Sequence, residues 1–107
     1  MPVAELSPAE VAARHARGEV FTLLDVREPW ELELCQVHWA KAIPMNEVPD
    51  RLGELDPGTP VVVMCHHGGR SLRVAHFLAQ RGYQQVANLT GGIHEWREQI
   101  EPSMRPY

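Results

Sequence analysis

The stretch Val61-Val62-Val63-Met64-Cys65-His66-His67-Gly68-Gly69-Arg70-Ser71 decides how this chain is read. A short β-branched run has the character of a strand buried on both faces of a parallel sheet. It ends on a cysteine, passes two glycines and an arginine, and gives way to Val74, Ala75 and Leu78 at helical spacing. Gly82 marks the expected helix stop, and Ser71 the expected N-cap. A strand–loop–helix turn aims backbone N–H groups and a helix N-terminus at one point, which favours negative charge there. Cys65 stands at that point. A thiolate would be stabilised in such a cradle, and an anionic ligand would suit it. A cysteine closing an apolar strand is in other settings a small buried hydrophobe. The loop argues otherwise: Gly68 and Gly69 permit close backbone approach, and Arg70 offers a permanent donor fork for an oxyanion.

The rest of the chain bounds this reading. At 107 residues it is long enough for one domain with its own core, and 44% hydrophobic with 22% charged residues is ordinary globular composition. The two cysteines, Cys35 and Cys65, form neither a disulfide framework nor a paired zinc motif. The first residues, Met1-Pro2-Val3-Ala4-Glu5, lack the features of a signal peptide, and no apolar run reaches membrane-spanning length. A soluble cytoplasmic setting with reduced thiols is therefore expected. A net charge of −4 without any basic block argues against nucleic-acid binding. Against that acidic background His66, His67 and Arg70 gather positive potential beside Cys65. The histidine pair can equally be a solvated loop tip.

Along the chain, Ser7-Pro8-Ala9-Glu10 is a capping box opening a helix that Gly18 can close. Val20 to Leu24 reads as a strand ending at Asp25, Glu28 to Leu34 as a short helix, and Ala42 to Met45 as a short extended piece. Asn46 to Leu55 reads as helical, before the Asp56-Pro57-Gly58 turn. Val86 to Leu89 is a further strand, Gly92 to Ile100 a last helix, and Glu101 to Tyr107 a loosely packed tail. Alternating strands and helices imply an α/β domain, a mainly parallel sheet covered on both faces. Functional residues of such sheets gather at the carboxyl ends of strands, where Asp25, Cys65 and Thr90-Gly91-Gly92 all fall.

Three motifs resemble those of the single-domain rhodanese-like sulfurtransferases: Leu23-Leu24-Asp25-Val26-Arg27-Glu28-Pro29-Trp30-Glu31, the Cys65-to-Ser71 loop, and Leu89-Thr90-Gly91-Gly92-Ile93-His94-Glu95-Trp96. They come in the family's order and span roughly residues 6–96. The resemblance implies a three-layer fold of about five strands. It also implies that Cys65 carries sulfane sulfur as a persulfide, taken from an anionic donor such as thiosulfate and passed to cyanide, a thiol or a carrier protein. The amides of His66, His67, Gly68, Gly69, Arg70 and Ser71 would hold the sulfur, and the Arg70 side chain would orient an anionic donor. Asp25 and Arg27 would be scaffold, and Gly91 and Gly92 would permit a tight turn with close packing. No metal or organic cofactor is implied, because the nucleophile is itself the carrier.

The chain departs from that family where many members have Gly-His-Ile-Pro-Gly-Ala and this one has Val37-His38-Trp39-Ala40-Lys41-Ala42. Trp39 is placed by this reading against one wall of the site. Cys35 just before it is either a resolving thiol for Cys65 or an unpaired cysteine of the interior. Two other functions remain to be weighed. Cysteine-dependent phosphatases share a thiol, an anion cradle and an arginine, but their loop is one residue longer. A binding module on the same scaffold would have no need of the nucleophile.

Overall fold

The computed structural model describes residues 3–107. Five parallel strands, β1 (Ala4–Leu6), β2 (Thr22–Asp25), β3 (Lys41–Ala42), β4 (Val61–Met64) and β5 (Val86–Leu89), form one sheet in the order β1-β5-β4-β2-β3. The helices are α1 (Pro8–Ala16), α2 (Pro29–Leu34), α3 (Gly69–Gln80) and α4 (Gly92–Gln99), with a 3-10 helix over Met45–Glu54.

The central strand explains the layers. Val61 and Val63 face one side and join Val74, Ala75, Leu78 and Ala79 of α3 with Val48 of the 3-10 helix. Val62 and Met64 face the other and join Val11 of α1 with Ile93 and Trp96 of α4. Period-two alternation of side chains thus feeds two cores from one strand of four apolar residues. All four are buried, as a parallel strand covered on both faces requires. The register Leu24–Val63–Asn88 across β2, β4 and β5 brings the carboxyl ends of these strands level, so Asp25, Cys65 and Thr90 leave the sheet together.

The capping box forms as expected, with Ser7 Oγ accepting from the Glu10 N–H and the Glu10 carboxylate from the Ser7 N–H. Other elements differ from the sequence reading. The strand β1 has only three residues and no pattern of its own; it exists by pairing with β5. Val20 is exposed and precedes β2. Met45 belongs to the 3-10 helix, which Pro49 keeps from continuing as a regular α-helix. Trp39 does not wall the cysteine loop: it stacks on His15 at 3.7 Å and meets Phe21 and Trp96 edge-on in the α1/α4 core. The tail is docked rather than loose. The Arg97 Nε–H donates to the Met104 carbonyl at 2.7 Å, and Tyr107 reaches the far side of the site.

Candidate active site

The chain turns from β4 into α3 at Cys65. The helix begins at Gly69, and its cap is Gly68 at φ +114, not Ser71. Ser71 lies inside the first turn, fully buried, with its hydroxyl donating to Asn88 Oδ1 at 2.6 Å. Asn88 is fixed in turn by Glu5, whose carboxylate accepts from Nδ2 at 3.2 Å. Of the two glycines only Gly68 needs its freedom; at Gly69 a Cβ would meet nothing within 4 Å.

The Gly68 N–H donates to Cys65 Sγ at 3.1 Å. Burial pushes the Cys65 thiol up, yet the N–H groups of Ser71, Gly68 and His67 outweigh it, so the thiol lies below its ordinary value. The whole residue is 1% exposed. The turn thus favours the ionised form of the Cys65 thiol.

A second strand–helix turn buttresses the first. Gly91 and Gly92, both at positive φ, open α4. The Ile93 N–H donates to the Cys65 carbonyl at 2.8 Å, and the His94 N–H to the His66 carbonyl at 3.1 Å. A Cβ at Gly92 would lie 2.5 Å from both carbonyl oxygens, so this close approach requires glycine.

Asp25 and Arg27 pair in the interior. Arg27 is wholly buried, and its Nε and Nη2 bind the Asp25 carboxylate at 3.0 and 2.8 Å. Its remaining donors hold the end of α2 through the carbonyls of Glu31 and Cys35. A buried pair of this kind is costly to break because it strands the surviving charge.

Arg70 is placed differently from the expectation. Its Nη1 and Nη2 grip Glu31 Oε1 and Oε2 at 2.6 and 2.8 Å, so the fork is committed to a buried carboxylate. Glu31 also accepts from the Glu28 N–H at 2.9 Å and the Tyr107 hydroxyl at 2.7 Å. Burial would push its carboxyl up, but Arg70, that amide and Tyr107 hold it at about 2. Sequence reasoning missed Glu31 and Tyr107. Glu31 was visible as the last acidic residue of the Asp25 motif, facing an arginine of opposite charge; Tyr107 carried no signal.

The histidines divide. His66 is stacked between Tyr107 at 3.8 Å and His67 at 3.9 Å. Burial and the neighbouring His67 push its pKa down, and its Nε2 has no partner among the described residues. The His67 ring is exposed, 5.2 Å from His94. Cys35 caps α2 half-buried, its Sγ 3.9 Å from Arg27 Nη1. Among the described residues no group of His, Cys, Asp and Glu is arranged to hold a metal ion, and no helix is long and apolar enough to cross a membrane.

Residues 7–99 match the rhodanese-like domain. The chain belongs to the rhodanese-like family. It is 34% identical over 104 residues to a sulfurtransferase of Allochromatium vinosum, covering 97% of each chain. It is 35% identical over 75 residues to the thiosulfate sulfurtransferase GlpE of Tolumonas auensis, covering 70% of this chain and 71% of that one. A rhodanese-related protein from Thermoplasma volcanium superposes with a TM-score of 0.81 at 31% identity, covering 92% of this chain and 95% of its own. As a rhodanese-like domain, the protein has its cysteine loop at the carboxyl end of β4 and at the entry to α3.

Proposed function

We propose that this protein is a sulfurtransferase that carries sulfane sulfur as a persulfide on Cys65. The observation that supports it most directly is the Gly68 N–H at 3.1 Å from Cys65 Sγ, within a turn where the amides of Ser71, Gly68 and His67 favour an anionic sulfur. The Cys65 thiolate attacks the outer sulfur of a donor such as thiosulfate. The S–S bond of the donor breaks, sulfite leaves with its electron pair, and Cys65–S–S⁻ remains. A thiophilic acceptor, cyanide or the thiolate of a small thiol or carrier protein, then attacks the outer sulfur and the Cys65 thiolate leaves. Charge balances in both halves and no proton need move, so neither step calls for an acid or a cofactor. The cradle stabilises the anion in both resting states of the sulfur carrier. Cys35 and Cys65 are both free, which fits work among the reduced thiols of the cytoplasm.

Intact-mass measurement after exposure to a donor should show an adduct of about 32 Da, one sulfur atom, lost on adding cyanide. Cys65→Ser should remove adduct and turnover together, whereas Cys35→Ser should keep most of both. Turnover surviving in the Cys65 variant refutes the assignment. Adduct without turnover in Cys35→Ser would make Cys35 the resolving thiol instead.

A further inference from the structure

The carboxyl ends of the strands hold the cysteine loop, and the amino ends hold a hollow of about 350 Å3 between α1 and the starts of β1, β5 and β4. That volume falls within the range of small-molecule sites, about 300–1,000 Å3. Both cores reach it. Leu6, Val62 and Ala87 come from the α1/α4 side and Val86 from the α3 side, and each is between 3% and 8% exposed. The backbone at the rim is already satisfied: the Thr22 N–H donates to the Pro60 carbonyl and the Val61 N–H to the Gln85 carbonyl, both at 2.9 Å. The floor therefore presents hydrocarbon, which gains by exchanging water for an apolar chain. Phe21 extends this surface along the wall, and Val20 beside it in the chain is 81% exposed.

One charged side chain lines the hollow among the described residues, Arg14 of α1. It is half-buried and has no hydrogen bond or ion pair with any described residue. Glu10, one turn earlier on the same helix, acts on it only through space, because that carboxylate closes the capping box on the Ser7 N–H. A half-buried guanidinium beside an apolar floor is short of an anion. We propose that this hollow binds a small amphiphile with an apolar chain and a single carboxylate head. The chain lies on Leu6, Val62, Val86 and Ala87, and the carboxylate meets the Arg14 fork, whose planar donors match two oxygens. A dianionic head such as phosphate fits less well, since no second cation lines the hollow to offset its second charge. The site lies at the opposite end of β4 from Cys65, and its occupancy does not depend on sulfur transfer.

The test titrates the native protein with decanoate, decanol and decyl phosphate, each below its aggregation concentration, and follows backbone amide NMR shifts. Decanoate should saturate one site, with shifts centred on Arg14, Phe21 and Ala87. Decanol has the same chain without the charge and should bind about tenfold more weakly, the scale of a charge-assisted hydrogen bond. Rising salt should weaken decanoate relative to decanol, because screening acts on the half-exposed ion pair alone. Arg14→Gln should bring decanoate down to the level of decanol while the amide spectrum away from the hollow stays native. Ala4→Phe fills the hollow from the exposed edge of β1 and should weaken decanoate and decanol alike.

The comparison of the three amphiphiles uses the native protein and holds even where a variant fails to fold. Absence of saturable decanoate binding, shifts centred on the Cys65 loop instead, or equal affinity for decanoate and decanol would each overturn the proposal. So would decyl phosphate binding more tightly than decanoate, or native affinity in Arg14→Gln or in Ala4→Phe.

Discussion

The turns from β4 into α3 and from β5 into α4 are built alike. Each leaves the carboxyl end of a parallel strand, passes a glycine at positive φ and opens a helix with free N–H groups. Their uses diverge because of what those N–H groups face. The first faces a sulfur, and the amides of His67, Gly68 and Ser71 lower the Cys65 thiol. The second faces the carbonyls of the first, with Ile93 and His94 donating to Cys65 and His66. One turn makes the anion cradle, and the other keeps it in shape. A helix N-terminus is thus a resource whose function is decided by its neighbour.

The sharpest way to break the comparison is to deny the second turn its approach. Gly92→Ala places a Cβ against two backbone carbonyls at 2.5 Å while holding φ near +62. Left-handed strain and overpacking should together cost about 3–5 kcal/mol, read as a fall in the denaturant midpoint. Sulfur transfer should fall with it, because the carbonyls that must retreat belong to Cys65 and His66. Retention of native stability would show that α4 is not seated on the loop as described.

Gly68→Ala tests the first turn and should do less to stability. Its Cβ would have ordinary contacts, the nearest at 3.6 Å, so only the backbone at φ +114 objects, at about 1–3 kcal/mol. Its signature is chemical. Once the Gly68 N–H swings off Sγ, the Cys65 thiol should rise toward its ordinary value. The alkylation rate of Cys65 should then need a higher pH to reach its plateau. Loss of stability without that movement would make Gly68 a hinge only.

These two turns were unequally legible. The apolar run, Cys65 and the Gly-rich loop are local signals, and so are the capping box of α1 and the strand β5. The N-cap of α3 was misread because Ser71 is a good capping residue by type. Its hydroxyl is instead drawn to Asn88, seventeen positions away. Strand β1 escaped for the same reason: three residues gain their identity only from β5. Arg70 and Glu31 lie 39 positions apart, and Tyr107 and Glu31 lie 76 apart. Local pattern names what each residue can do, while the fold selects which partner it does it with.

The turns also differ in charge, since only α3 carries an ion pair to the interior. Glu31 has its carboxyl depressed to about 2 in the folded protein against roughly 4.3 in an unfolded chain. A depressed carboxyl stabilises the fold above the unfolded value and loses that contribution as pH falls through the folded one. Native stability should therefore decline from about pH 5 toward pH 2. In Glu31→Gln that part of the decline should be missing, although the variant starts lower at neutral pH. Parallel thermal midpoints across this range would show that the Arg70–Glu31 pair adds nothing.

The smallest effect is expected at the His66 ring, although its backbone sits at the centre of the comparison. Its carbonyl is held by α4, and its peptide links the nucleophile to the cradle, yet the imidazole points into the stack with Tyr107. Burial and His67 push its pKa below the ordinary value of about 6.5. A protonated ring would favour the Cys65 thiolate and an anionic donor, so sulfur transfer would decline as pH rose through its pKa. With that pKa displaced downward, the decline falls below the neutral range and the ring is uncharged above it. Native protein and His66→Gln should therefore show superimposable pH profiles of kcat/KM between about pH 6.5 and 8.5, the span above the reference imidazole value. The variant should lose only the contribution of its aromatic stack, about 0.5–1.5 kcal/mol of stability. A profile that falls across this window in the native protein and flattens in His66→Gln would place a charged imidazole in the anion site. The backbone amides would then not be its only source of positive potential.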